Sequence, residues 1–314
     1  MRTENMQPSS KITIGLCVKN AGATIKDALD SLVCQDFPHD LMTIVIVDGC
    51  SRDKTISLIK ETLSRTDLKY KILSENRGLG RARQYVVDNA DGDYIVWVDG
   101  DMAFSADFIS EQVKFMEKNP NVGIAKGKQE LSPGANLLST LEIYSRAADK
   151  MVDYSPERAR SKALGTSGCI YRLKAIKQAG GFDRNIRGYG EDWDAEYRIR
   201  MAGWRLCTTA VQYQDYERFG VTWRELWQKY RRRGYDLYDV FRKHPKVVKL
   251  YAMLPFPAFI VGLFKSLSLY KLNQQKIVFF LPFQNAFKML PWWLGYFGHT
   301  LDSIVRLPKR ESAD

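Results

Sequence analysis

Along the N-terminal third of the chain, short apolar blocks alternate with stretches in which apolar residues recur every three or four positions. Ile12 to Val18 has the composition of a strand. Beyond the turn Asn20-Ala-Gly-Ala-Thr, residues Ile25, Leu29, Leu32 and Val33 recur at helical spacing. The pair repeats as a strand over Met42 to Val47, closed by Asp48-Gly49-Cys50-Ser51, and a helix over Thr55 to Leu63 with Ile56, Ile59 and Leu63 on one stripe. A strand over Tyr70 to Leu73, a helix over Gly80 to Asn89 and a strand over Tyr94 to Val98 continue it. Strands and helices alternating at this spacing predict an α/β fold with a mostly parallel sheet and helices on both faces. Such sheets bind ligands at the carboxyl ends of their strands. Asn20, Asp48, Asn76 and Asp99 all fall at such ends, so four polar groups converge on one crevice.

Farther along, the pattern predicts helices over Ala106 to Lys118, Leu137 to Met151, Lys174 to Ala179 and Trp193 to Met201, with strands over Val122 to Lys128 and Trp204 to Val211. Gly165-Thr166-Ser167-Gly168 brings small residues to the start of another apolar run. These allow close approach of backbone to a ligand, and a strand bend explains them nearly as well. Trp223 to Phe241 reads as a basic amphipathic helix, and the composition changes from Leu250 onward.

Asp99-Gly100-Asp101 follows directly on a strand of buried composition. Burying each unpaired carboxylate costs several kcal/mol (roughly, after relaxation). A hard divalent cation such as Mg²⁺ or Mn²⁺, itself bridging a diphosphate, suits this oxygen pair; a polar turn is the plain alternative.

The chain has 314 residues, with 47 Lys and Arg against 36 Asp and Glu, for a net charge of +11. Basic residues concentrate after position 224, in Arg224, Lys229, Arg231, Arg232, Arg233, Arg242, Lys243, Lys246 and Lys249. Such a block suits nucleic acid, anionic lipid or a phosphorylated substrate. The apolar stretch that follows favours lipid over nucleic acid. The 5 cysteines are widely spaced and form no C-x-x-C pair, which excludes a zinc site of that type and fits a reducing cytoplasm. Met1 to Lys11 is polar and shows no secretory h-region.

In order along the chain stand Ile-Gly-Leu-Cys-Val-Lys-Asn20 with Thr24-Ile25, Val47-Asp48-Gly-Cys-Ser51-x-Asp53, Asn76-Arg77-Gly78 with Ala82-Arg83, Asp99-Gly-Asp101, Gly180-Gly-Phe-Asp183, and Gly190-Glu-Asp192-x-Asp194 with Arg198 and Gly203-Trp204. This ordered set, over about residues 11 to 235, resembles a family 2 glycosyltransferase of the GT-A fold. The resemblance implies a Rossmann-like nucleotide-sugar-binding domain and an inverting transfer from a UDP- or GDP-sugar. It implies a base pocket involving Cys17, Val18 and Asn20, with Asp48 on the nucleobase or ribose. The competing reading of Asp48 is a capping turn with Ser51 and Asp53. Asp101 would be the direct metal ligand, and Asp99 would contact ribose or reach the metal through water. Arg77, ahead of Arg83, would reach phosphate, and Thr166 and Ser167 the sugar. Asp192 matches the catalytic base and Glu191 its neighbour in acceptor binding, although both open a helix and suit plain capping. Arg231 and Arg232 loosely resemble a basic segment that closes over the diphosphate; a solvated basic face is as good an account. The chain departs from the family pattern at Gly49, where a second aspartate is usual, at Cys17, where proline is frequent, and at Ala103, where some relatives place a further metal ligand. It also lacks the Q-x-x-R-W pattern, which argues for single transfer.

This gives a catalytic domain over 1–235 and a hydrophobic, membrane-associated helical region over 236–314. Leu250 to Phe264 carries no charge but is broken by Pro255 and Pro257, and the stretches from Ile277 to Phe297 are broken by Pro282, Lys288 and Pro291. Neither reaches the roughly 20 apolar residues of a clean crossing. Trp292, Trp293 and Tyr296 suit the headgroup region. The expected arrangement lies in or against the cytoplasmic face of the membrane. The expected acceptor is a lipid-linked sugar or polyprenyl phosphate, and the region should be removable after about residue 245. Two other classes remain open at this point: a sugar nucleotidyltransferase and a non-catalytic binding module for nucleotide sugar or membrane surface.

Overall fold

The computed structural model describes residues 10–149, 164–215, 220–245 and 250–305. Its strands are β1 (Ile12–Val18), β2 (Met42–Asp48), β3 (Lys69–Ser74), β4 (Tyr94–Val98), β5 (Met102–Phe104), β6 (Val122–Gln129), β7 (Cys169–Arg172) and β8 (Arg205–Asp215). Its helices are α1 (Ile25–Val33), α2 (Thr55–Leu63), α3 (Leu79–Asn89), α4 (Phe108–Lys118), α5 (Leu137–Asp149), α6 (Leu173–Gln178), α7 (Glu191–Met201), α8 (Trp223–Lys243), α9 (Pro255–Asn273) and α10 (Leu281–Val305). The predicted end of the fifth helix at Met151, and Lys246 and Lys249, lie outside the described residues.

The strands form one 8-stranded sheet in the order β3-β2-β1-β4-β7-β6-β8-β5. β3, β2, β1 and β4 are parallel, as the alternation predicts. The expectation of a mostly parallel sheet fails beyond them. β7 runs antiparallel to both β4 and β6, and β5 antiparallel to β8. The sheet is therefore mixed. β7 follows the Gly165–Gly168 turn and runs back against β4.

Apolar positions pack on both faces. Ile25 and Leu29 of α1, Ile59 of α2 and Val113 of α4 join Ile14, Leu16, Ile44 and Val96 on one side. Val86 of α3, Ile176 of α6 and Ile199 of α7 join Val45, Ile95 and Trp97 on the other. Strands covered on both faces read as continuous apolar runs, which is why these were legible.

The domain boundary expected at 235/236 falls inside α8. That helix starts on a capping box: Thr222 Oγ1 accepts from the Glu225 amide at 3.2 Å, and the Thr222 amide donates back to Glu225 Oε2 at 2.8 Å. α10 lies along α8. Gly234 and Gly295 let the two backbones touch, because a Cβ at either would collide with a carbonyl of the other helix. Beside this seam Trp292 is buried against Phe241, with ring centroids 5.8 Å apart. Lys288 of α10 forms a buried ion pair with Glu142 of α5.

This packing argues against a tail that can be removed after about residue 245 without cost. Such a cut strips Trp292 from Leu237, Val240 and Phe241 and leaves Glu142 without its cation. Losing one large buried aromatic costs about 3–5 kcal/mol. The shortened chain is expected to melt well below the full one or to aggregate; a melt equal to that of the full chain, followed by circular dichroism, would show the tail to be dispensable.

The other faces of α9 and α10 leave Phe256, Val261, Phe264, Leu267, Phe283, Leu294 and Phe297 exposed. Among the described residues, no helix is long and apolar enough to cross a membrane.

Candidate active site

The parallel strands bring their carboxyl ends to one edge, where a cavity of about 740 Å³ opens. Cys17, Val18, Asn76 and Arg77 line it, as does Arg232 from α8. Burial pushes the Cys17 thiol up to about 12, so it acts as an apolar wall and not as a nucleophile.

Asn20 and Asp48 sit at the predicted strand ends, but their side chains are committed to the loops. Asn20 adopts a left-handed conformation with φ 52°. Its Oδ1 accepts from the Arg52 amide at 2.9 Å, and its own amide donates to Ser51 Oγ at 2.8 Å. Asp48 accepts from Ser51 Oγ at 2.6 Å and from the Ser51 amide. The turn reading of Asp48 is thus realised, with Ser51 as partner. Asp53 instead holds the start of α2 through Thr55.

Arg77 reaches the cavity mouth with Nε and Nη2 bonded to the buried Glu75 at 3.1 and 3.0 Å. These bonds hold the Glu75 carboxyl down at about 2, from an ordinary 4.5. A carboxyl lowered on folding stabilises the fold above its unfolded value, and that contribution is lost as pH falls from about 4.5 through about 2. Denaturant titrations of native and Glu75→Gln chains should therefore converge as pH drops across that window; a gap that stays constant would detach Glu75 from acid stability.

Asp99 accepts a very short hydrogen bond from Ser167 Oγ, and the Ser167 carbonyl accepts from the buried Lys126 ammonium. Thr24 Oγ1 donates to the Gly100 carbonyl at 2.6 Å, fixing the Asp99–Asp101 run against the start of α1. Thr166, next to Ser167, is buried. Asp99 and Asp101 offer hard oxygen donors just beyond the end of β4, and that chemistry fits Mg²⁺ or Mn²⁺. Among the described residues no group of three or more His, Cys, Asp or Glu gathers around one point. An ion held by Asp101 and Asp99 would complete its shell from diphosphate and water.

Across the edge, α7 begins after Gly190, whose φ of +107° turns the chain into the helix. Asp192 is half-buried; its Oδ1 accepts from the Trp193 amide at 2.8 Å, and its Oδ2 faces Gly165. Glu191 points inward instead: it is 2% exposed and ion-paired with Arg83 of α3, itself over the Trp97 ring. Arg83 is thus a buried anchor of α7, held by Glu191. Three residues beyond Glu191, Asp194 is gripped by Arg198, Lys243 and His244 at 2.5, 2.7 and 2.8 Å, which fastens α8 to α7.

The structure separates the arginines of α8. Arg232 lines the cavity, and Arg231 is exposed beside Gly295 of α10. Arg233 lies between the Tyr189 and Tyr230 rings, 4.9 and 5.2 Å from their centroids. Sequence reasoning missed Arg81, Arg184 and Arg187, which also line the cavity. The signal was present, since Arg184 and Arg187 follow directly on Gly180-Gly-Phe-Asp183. It missed Lys126 and Glu196 altogether, because a charged residue inside an apolar run gives no sign of what it faces.

A sequence profile described as "Glycosyl transferase family 2" matches residues 13–179. The chain is 26% identical over 183 residues to a poly(ribitol-phosphate) β-N-acetylglucosaminyltransferase of Staphylococcus aureus, a match covering 54% of this chain and 30% of that protein. It is 22% identical over 283 residues to the poly-β-1,6-N-acetyl-D-glucosamine synthase of Staphylococcus epidermidis, covering 83% and 67%. In fold it is similar to a mannosyltransferase from Pyrobaculum calidifontis solved with GDP-Man and Mn²⁺, with a TM-score of 0.64, 20% identity and coverage of 92% and 87%. It is also similar to residues 1–349 of the S. aureus enzyme solved with UDP-GlcNAc, with a TM-score of 0.52, 16% identity and coverage of 93% and 92%.

Proposed function

The chain belongs to glycosyl transferase family 2, and from that premise we propose that it moves one sugar from a UDP- or GDP-sugar to a lipid-linked or polyprenyl-phosphate acceptor at the cytoplasmic membrane surface. The observation that carries this reading is the loop Gly165–Ser167. It lies against Asp192 on one side and bonds Asp99 on the other, so a candidate base and the strand-end carboxylates border one site.

In this reading Cys17 and Val18 flank the base, and Arg77 and Arg232 face the diphosphate. A divalent ion held by Asp101 and Asp99 supplies electrostatic stabilisation of the charge developing on the departing diphosphate. Asp192 takes the proton of the acceptor hydroxyl or phosphate as its oxygen attacks the anomeric carbon. The bond to the diphosphate breaks on the opposite face, nucleoside diphosphate leaves, and the new linkage is inverted. The exposed apolar faces of α9 and α10 support a seat in the membrane interface, with Lys271 and Lys276 beside them for anionic headgroups. A catalytically silent binding module would have no need of Asp192 opposite the Asp99–Asp101 pair.

The test mixes the full chain with vesicles carrying polyprenyl phosphate and offers labelled UDP- and GDP-sugars with and without Mn²⁺. Label should enter the lipid phase only with metal and with one class of donor. Label that enters equally in excess chelator, or never reaches lipid while a soluble acceptor is glycosylated, overturns the metal or the acceptor assignment respectively.

A further inference from the structure

Glu196 lies one helical turn beyond Asp192 on the same face of α7, and it is 0% exposed. Its oxygens accept the backbone N–H groups of Leu164 and Gly165 at 2.8 and 2.7 Å. Gly165 adopts φ +75°, and a Cβ on it would stand 3.4 Å from Asp192 Oδ2, so this backbone is the wall against which the Asp192 carboxylate rests. Two residues later Ser167 is bonded to Asp99. One buried carboxylate therefore grips the short segment that joins the two sides of the site.

We infer that Glu196 is a positioning residue that clamps the Leu164–Gly165 backbone against Asp192 and so keeps the base in register with the strand-end aspartates. The inference rests on the reading of Asp192 as the base. The amides accept no substitute easily: a glutamine offers one acceptor oxygen and an NH₂ group that repels the second N–H. The groups facing Glu196 are Asp192 and Arg200 from its own helix, the two loop amides, and Tyr171 from β7. Burial, then the Asp192 charge, push the Glu196 carboxyl up to about 8, against the pull of the amides and Arg200.

Full-length native, Glu196→Gln, Glu196→Asp and Asp192→Asn chains are assayed for turnover of UDP-GlcNAc and GDP-mannose across the pH range on both sides of neutrality. UDP and GDP binding and amide hydrogen exchange at 164–165 are followed in parallel. In Glu196→Gln, kcat should fall by about tenfold or more, because small displacements of a reacting group are costly. Nucleotide Kd should stay within about twofold, as expected when binding is untouched. Exchange at 164–165 should accelerate. Glu196→Asp, one methylene short with both acceptors kept, should fall between. Native kcat with slow exchange in Glu196→Gln, or loss of nucleotide binding in step with kcat, overturns the proposal. Full turnover in Asp192→Asn removes the base reading by itself, while the exchange rates still decide whether the clamp exists.

Discussion

Asp192→Asn should lower kcat by about 10²-fold or more and leave nucleotide affinity near native. Asparagine keeps the size of the side chain and its acceptor bond to the Trp193 amide, so the first turn of α7 should persist. What disappears is the ability to hold a proton in the transition state. The cavity proposed to take the nucleotide is lined from the ends of β1 and β2, the loop after β3 and the start of α3, and Asp192 is not among the residues that line it. A drop in kcat without a change in Kd for UDP or GDP separates base catalysis from damage to the fold. Near-native turnover with the acceptor at saturation would place the base elsewhere.

The second large effect belongs to stability. Arg83→Leu should destabilise the fold by about 3–5 kcal/mol, because it leaves Glu191 buried without a counter-charge. The paired change Arg83→Leu with Glu191→Leu should recover much of that loss, since apolar side chains of similar volume often replace a buried ion pair without penalty. Urea titrations of both single variants and the double variant give the coupling directly. If Arg83→Leu cost less than about 0.5 kcal/mol, as a surface change does, the ion pair would not be the anchor of α7. The cycle also distinguishes the two acidic residues that open this helix: Glu191 acts through packing and Asp192 through chemistry.

Much of this was legible from the chain. β1, β2 and β4 carry dense apolar runs, and a polar residue stands at or just beyond the end of each, so both their existence and the shared edge could be read off. Strand direction could not, because periodicity reports which faces are buried and says nothing of which way a strand runs; β7 and β5 show this. The site was legible as residue types in order, and less so as partnerships. Arg83 looked as much a surface residue as a phosphate ligand, yet it is 6% exposed and bound to Glu191. Asn20 and Asp48 read as ligand groups, and their bonds to Arg52 and Ser51 within the strand-end loops could not be read from spacing. The tail was read as separable because its composition changes at Leu250. The glycines that weld α10 to α8 lie far apart in sequence, and no window along the chain brings Gly234 and Gly295 together.

That weld has a mechanical consequence. Where helices meet through side chains, a change of rotamer can absorb a small displacement. At Gly234 and Gly295 backbone meets backbone, and nothing compliant lies between. α8 carries Arg232 at the rim of the nucleotide cavity and, through Lys243 and His244, is tied to the helix that bears Asp192. The tail therefore works as the long arm of a rigid lever whose short arm is the rim of the cavity. Whatever surface the apolar face of the tail comes to rest on fixes the distance between Arg232 and the opposite wall.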